Sequence, residues 1–261
     1  MQENKEQQLF FMQKALFEGE KGRKTAPPNP WVGCVIVKEG KIVGKGHHVK
    51  PGALHAEAAA LRDAGEKARG ATAYVTLEPC SHTGRMPPCT KALIESGIAK
   101  VVIPFQDPDG ISGDGVAVLR KAGIEVVVGV GKKEAEKSLA PYLHHRKTKM
   151  PYCTLKTAIS ADGCTAALDG SSKWITSKEA RQDAKKLRSF CQAILVGSQT
   201  ALVDHPRLVE TPLRCVLDRR GRLKEEGPLF DGSVETVIFT EADRKWKNAT
   251  AVKASSLKDV L

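Results

Sequence analysis

Four side chains that could do chemistry together come in a fixed order: His55 and Glu57 in "LHAEAAA", then Cys80 and Cys89 in "LEPCSHTGRMPPC". One histidine and two thiolates make three ligands of the kind that hold zinc. Four protein ligands close a structural zinc site, whereas three leave a position for water. A carboxylate beside that water, and not itself a ligand, can carry protons. His55, Cys80 and Cys89 are therefore read as metal ligands and Glu57 as the proton shuttle. A purely structural site would need a fourth ligand, for which His48 or His82 is available.

The elements must bring these groups together. Residues i and i+2 lie about 200° apart around a helix, so His55 and Glu57 can share a pocket only at a helix start. "KPGALHAE" supplies that entry through Pro51 and Gly52, and the Ala-rich stretch after it reads as the helix. Cys80 follows Pro79 at the end of the strand "ATAYVTLEP". Cys89 follows Pro88 at the start of the helix "CTKALIESGI". Both thiols thus sit near helix starts, where N–H dipoles favour thiolates.

Upstream, "MQENKEQQLFFMQKALFEGEKG" reads as an amphipathic helix, and "VGCVIV" and "KIVGKG" as a hairpin turning at "KEG". Downstream, "KVVIPF", "GVAVLRKAGI" and "EVVVGV" continue a βαβ order, which predicts a sheet covered by helices. "KKEAEKSLAPYLHHRKTKMP" reads as a charged helix and then a basic, Pro-terminated stretch, placing a domain boundary at Lys147. Residues 148–261 read as a second α/β unit opening with a strand at "YCTLKTAISADG". Its helix, "TSKEARQDAKKLRSFC", carries a Thr176/Glu179 capping box. The strands "AILVG", "LRCVLD" and "TVIFT" follow.

Composition narrows the class. The start lacks the features of a secretory signal, and no apolar run approaches the ~18 residues of a membrane span. This predicts a cytoplasmic protein without a membrane partner. Seven scattered cysteines do not form a disulfide framework. The net charge of +11 suits an anionic partner, but it is spread evenly, +6 up to Lys147 and +5 beyond. With only 5% aromatics there is little for bases to stack on. The expected partner is a phosphorylated pyrimidine small molecule, not nucleic acid; a deaminase of tRNA or another nucleobase is the alternative. Monomer and homo-oligomer are both left open.

The H-x-E and P-C pattern is that of zinc-dependent nucleobase deaminases, although the usual P-C-x-x-C is here P-C-x₈-C. "PNPWVGCVIV", "GKGHHVKPGALHAE" and "TLEPCSHTGRMPPCTKALIESGI" resemble the deaminase domain of the bifunctional riboflavin-biosynthesis RibD family over about residues 8–145. The resemblance implies a cytidine-deaminase-like three-layer sandwich followed by a dihydrofolate-reductase-like α/β domain. It implies a zinc cofactor on His55, Cys80 and Cys89, with Glu57 catalytic. Asn29, His48, His82 and Arg85 would line the substrate pocket. In "QDPDGISGDG", Asp109 and Gly110 depart from the family's usual D-P-N-P-type loop.

From Pro151 the chain resembles the family's NADPH-dependent reductase. By position, Lys156, Ser172, Arg188 and Leu208 match substrate-side residues, and Ala158, Trp174, Thr200 and Asp204 match NADP-side residues. Gln199 stands where glycine is expected, His205 replaces an acid, and "LVET" lacks an expected arginine near Thr211. The Gly-rich cofactor loop does not appear before Leu261. These departures predict an incomplete reductase domain that does not reduce by itself.

Overall fold

A computed structural model describes residues 4–83, 87–110 and 113–260. They form two compact units, Met1–Tyr152 and Cys153–Leu261.

The first unit is a five-stranded mixed sheet between two helical layers. In chain order its elements are α1 (Lys5–Glu20), β1 (Gly33–Lys38), β2 (Lys41–His47), α2 (Ala56–Ala64), β3 (Thr72–Val75), α3 (Cys89–Glu95), β4 (Lys100–Ile103), α4 (Gly115–Lys121), β5 (Glu125–Val128), α5 (Lys132–Ser138) and α6 (Ala140–Thr148). The strand order is β2-β1-β3-β4-β5. β1 runs antiparallel to β2 and β3, and β3, β4 and β5 run parallel.

Alternation along the strands divides the core, because successive side chains point to opposite faces. Cys34, Ile36, Ala73, Val75, Val101 and Ile103 face α2, α3 and α4. Val35, Val37, Tyr74 and Val102 face Phe11, Met12 and Ala15 of α1. α1 starts at Asn4, whose side chain accepts the Gln7 N–H in a capping box.

The contact between α2 and β2 depends on small residues from both. A Cβ added to Gly46 would lie 2.4 Å from the Ala56 carbonyl and the Ala60 nitrogen. One added to Gly44 would lie 2.4 Å from the Ala60 carbonyl. The Ala-rich helix thus rests directly on strand backbone, which fixes the start of α2.

The expected elements form, with differences. The stretch after α5 is a further helix, α6, with Pro141 in its first turn, where a missing N–H costs nothing. β3 ends at Val75, not Pro79, and the chain reaches Cys80 as irregular backbone.

The second unit contains α7 (Lys178–Arg188), β6 (Ala193–Gly197), α8 (Ser198–Asp204), β7 (Leu213–Leu217), β8 (Glu235–Thr240) and β9 (Thr250–Lys253). Its sheet is parallel, in the order β6-β7-β8-β9. Val216, Ile238, Leu229, Phe230 and Trp246 lie in its core. The strand expected at residues 152–163 does not form. No described strand pairs with it, and Leu155 is 90% exposed; without a neighbour an extended segment has no ladder. The cap of α7 is Ser177, whose hydroxyl accepts the Ala180 N–H, not Thr176. Thr176 instead offers its carbonyl to Arg181.

Candidate active site

The start of α2 meets the start of α3 at the end of the β3 segment. His55 is the N-cap of α2, with extended backbone (φ −70°, ψ 161°), and Glu57 lies in the first turn. The break from helical geometry at His55 frees both side chains from their opposed helical directions. Cys89 is the first residue of α3, after Pro88. Thr90 donates its N–H to the Cys80 carbonyl at 3.1 Å, tying the Cys80 segment to α3.

His55 Nδ1 lies 3.2 Å from Cys89 Sγ and 3.6 Å from Cys80 Sγ. All three donor atoms lie within 4.8 Å of one another. Tetrahedral zinc with bonds of about 2.0–2.3 Å separates its ligands by roughly 3.3–3.8 Å, so this donor set fits zinc. Among the described residues, this is the one group of three or more His, Cys, Asp or Glu side chains close enough to hold a metal. His48 supplies no fourth ligand, since its Nδ1 faces the Leu54 carbonyl at 3.1 Å and its Nε2 the Asn29 amide at 3.0 Å.

The two thiols share a proton unequally. Cys80 is held down to about 4, chiefly by its hydrogen bond with Cys89 and then by His55 and the Cys89 N–H, against the opposing effect of burial. Cys89 is correspondingly pushed up. His55 is raised, first by its hydrogen bond to Cys80. A metal binding there would release protons from His55 and Cys89. Glu57 is buried, 4% exposed, and its carboxyl is pushed up to about 7 by that burial and then by Cys80. A carboxyl there can both take and return a proton near neutral pH. A bound cation would draw this value down again.

The other pocket residues divide. Asn29 and His48 are hydrogen-bonded to each other, and the His48 ring meets His55 edge-on at 5.4 Å between centroids. His82 is exposed after Cys80. Arg85 lies outside the described residues.

Sequence reasoning missed Glu78, a buried carboxylate two residues before Cys80. Its oxygens accept the N–H groups of Asp107 and Val116, both at 2.9 Å, joining the residue 105–110 loop and α4 to the Cys80 segment. The available signal was an acid inside the apolar run "YVTLEP".

In the second unit, Lys156, Ala158, Ser172 and Trp174 lie on the irregular segment, Arg188 ends α7, and Thr200 and Asp204 lie on α8. Among the described residues, no hydrogen bond or ion pair joins any two of them. Trp174 is largely exposed, with the Arg181 guanidinium 4.2 Å from its ring centroid. The Leu208 side chain is buried in the core, so only its backbone can face a ligand. Gln199 departs from expectation in its consequence: it lies in the first turn of α8, not at a positive φ, so its backbone does not require glycine. Arg222 reaches Ser198 Oγ at 2.8 Å, setting a cation at the C-terminal end of β6. The ends of parallel strands are where such sheets bind nucleotides, and this one fits an anionic cofactor.

A sandwich with one histidine, two cysteines and a buried glutamate at two helix starts defines a zinc-dependent deaminase domain. A family model described as the cytidine and deoxycytidylate deaminase zinc-binding region matches residues 5–104, and the RibD C-terminal domain matches residues 151–261. Riboflavin biosynthesis protein RibD of Aquifex aeolicus is 51% identical over 258 residues, covering 95% of this chain and 70% of the relative. The RibD proteins of Chlamydia pneumoniae and Escherichia coli are 48% and 46% identical, each covering 92% of this chain and 67% and 71% of their own lengths. The chain therefore belongs to the RibD family and spans about two thirds of the length of these relatives.

A diaminohydroxyphosphoribosylaminopyrimidine deaminase/5-amino-6-(5-phosphoribosylamino)uracil reductase from Thermotoga maritima superimposes with a TM-score of 0.94. It is 37% identical, and the match covers 98% of this chain and 77% of that one. Acinetobacter baumannii RibD superimposes at 0.87 with 39% identity, covering 99% and 77%.

Proposed function

We propose that the first unit deaminates 2,5-diamino-6-(5-phosphoribosylamino)pyrimidin-4-one in riboflavin biosynthesis, releasing ammonia and leaving the 5-aminouracil form. The observation that carries this is the His55–Cys80–Cys89 cluster with buried Glu57 at the start of the same helix. Zinc held by these three residues supplies a Lewis acid that makes water a nucleophile near neutral pH. Glu57 takes a proton from the attacking water and gives it to the ring nitrogen, then takes the remaining hydroxyl proton as the C=O forms and gives it to the leaving amine. Water is consumed, the exocyclic C–N bond breaks and a C=O takes its place. Asn29, steadied by His48, orients the ring, and His82 and Arg85 hold the polar groups beyond it. Arg85 suits the phosphate because a guanidinium can bind it through two hydrogen bonds. In the second unit NADPH would be held by Ala158, Trp174, Thr200 and Asp204, and the ribose of the deaminated product by Lys156, Ser172, Arg188 and the Leu208 backbone, but with the arginine expected near Thr211 missing this chain does not carry out the reduction by itself.

Glu57→Gln tests the role of the carboxylate. The amide cannot accept and return the proton, a contribution of about 10²–10⁴-fold in turnover. Zinc content and ammonia release measured on one sample should show full zinc and at least a hundredfold loss of turnover. Full zinc with wild-type turnover removes Glu57 from the mechanism.

A further inference from the structure

Residues 105–110, with Gly113 further on, are held on both sides. On one side lies the segment that carries Cys80. Glu78 accepts the Asp107 N–H, and a Cβ on Gly113 would lie 2.2 Å from Ser81 Oγ. On the other side lies α6. The Tyr142 hydroxyl donates to the Asp107 carboxylate, 3.1 Å from each oxygen, and Arg146 Nε pairs with Asp109 Oδ2 at 3.2 Å. The Asp107 carboxylate also accepts the Asp109 N–H at 2.9 Å, so the two acids form one unit.

Tyr142 and Arg146 are four residues apart and share a face of α6, with the guanidinium 5.1 Å from the tyrosine ring centroid. The tyrosine ring packs in a cluster with Leu77, Trp31 and Phe105. Leu77 adjoins Glu78, and Phe105 begins the loop. The Asp109 and Arg146 side chains are only 14% and 25% exposed, so the pair is partly withdrawn from solvent, where screening is weaker.

We infer that Tyr142 and Arg146 are positioning residues of the deaminase. By this inference they clamp the 105–110 loop, through Asp107 and Asp109, against the segment that carries Cys80 and so hold it beside the deaminase site. Neither α6 residue acts on the reacting atoms. The inference rests on the deaminase reading of the first unit. It says in addition that α6, remote in sequence from the proposed metal ligands and pocket residues of the first unit, sets substrate affinity.

The test uses the full chain carrying Tyr142→Phe or Arg146→Gln. The phenylalanine keeps the ring packing and removes only the hydroxyl. Amide hydrogen exchange in residues 105–110 should accelerate at least fivefold in each variant, with zinc content unchanged. KM for the pyrimidine substrate should rise at least fivefold, with kcat within twofold of wild type. Asp107→Asn, which keeps an acceptor for the tyrosine hydroxyl, should lose less affinity than Asp107→Ala. Unchanged loop exchange in both α6 variants, or faster exchange with an unmoved KM, overturns the inference. A wild-type protein that releases no ammonia refutes the deaminase reading instead, and loop exchange still reports separately on the clamp.

Discussion

Cys80 and Cys89 differ from the other cysteines in what surrounds them, not in residue type. Cys34 is buried in the core, and burial raises its thiol well above the ordinary range. Cys153 and Cys164 are exposed, and neither joins a metal-binding cluster. Cys80 receives the Cys89 N–H and faces His55, so its thiolate is stabilised before any metal arrives. Serine does not ionise near neutral pH and is a poor zinc ligand. Cys80→Ser and Cys89→Ser should each lose zinc and part of the folded stability. Cys153→Ser and Cys164→Ser should keep one zinc per chain by metal analysis. Equal zinc loss in Cys153→Ser would contradict the assigned ligand set.

At the scale of elements, the site depends on how closely α2 approaches β2. Gly44 and Gly46 lie under backbone atoms of α2, not under movable side chains, so a methyl group there must push the helix away. Overpacking of this kind costs about 1–3 kcal/mol. His55 and Glu57 sit on the first turn of that helix and would move with it. Gly46→Ala should therefore lower the melting temperature and weaken zinc binding together, whereas Gly40→Ala, at a turn with open space around it, should leave zinc binding intact. Calorimetry and zinc titration on the same preparations check this; a Gly46→Ala protein with wild-type zinc affinity would show that the contact does not fix the site. The sequence carried half of this contact openly. "AEAAA" reads as a helix and "GKG" as part of a strand, but that each needs the other's small side chains follows only once they are stacked.

For the whole molecule, local chemistry was more legible than long-range pairing. The ligand set and the helix starts follow from His55-x-Glu57, Pro79-Cys80 and Pro88-Cys89, because proline and the capped helix start act over a few residues. The runs "VGCVIV" and "KVVIPF" read as strands from their continuous apolar, β-branched residues, and the strands they form are buried on both faces. The links of Glu78 to Asp107 and of Tyr142 to Asp107 span 29 and 35 residues and leave no periodic trace. The strand expected after Pro151 failed for the same kind of reason: its local pattern is strand-like, but a strand exists only with a neighbour. Gln199 shows the converse, since a substitution that looks costly by residue type is accommodated in a helical turn. The account's central claim is that this chain deaminates through its own first unit. The most direct measurement is ammonia release by the purified, zinc-loaded chain given the diaminopyrimidine substrate, with and without NADPH. The account predicts one ammonia per substrate consumed, at the same rate in both, and none after zinc is removed by chelation. Absence of ammonia from a folded protein carrying one zinc per chain would contradict it.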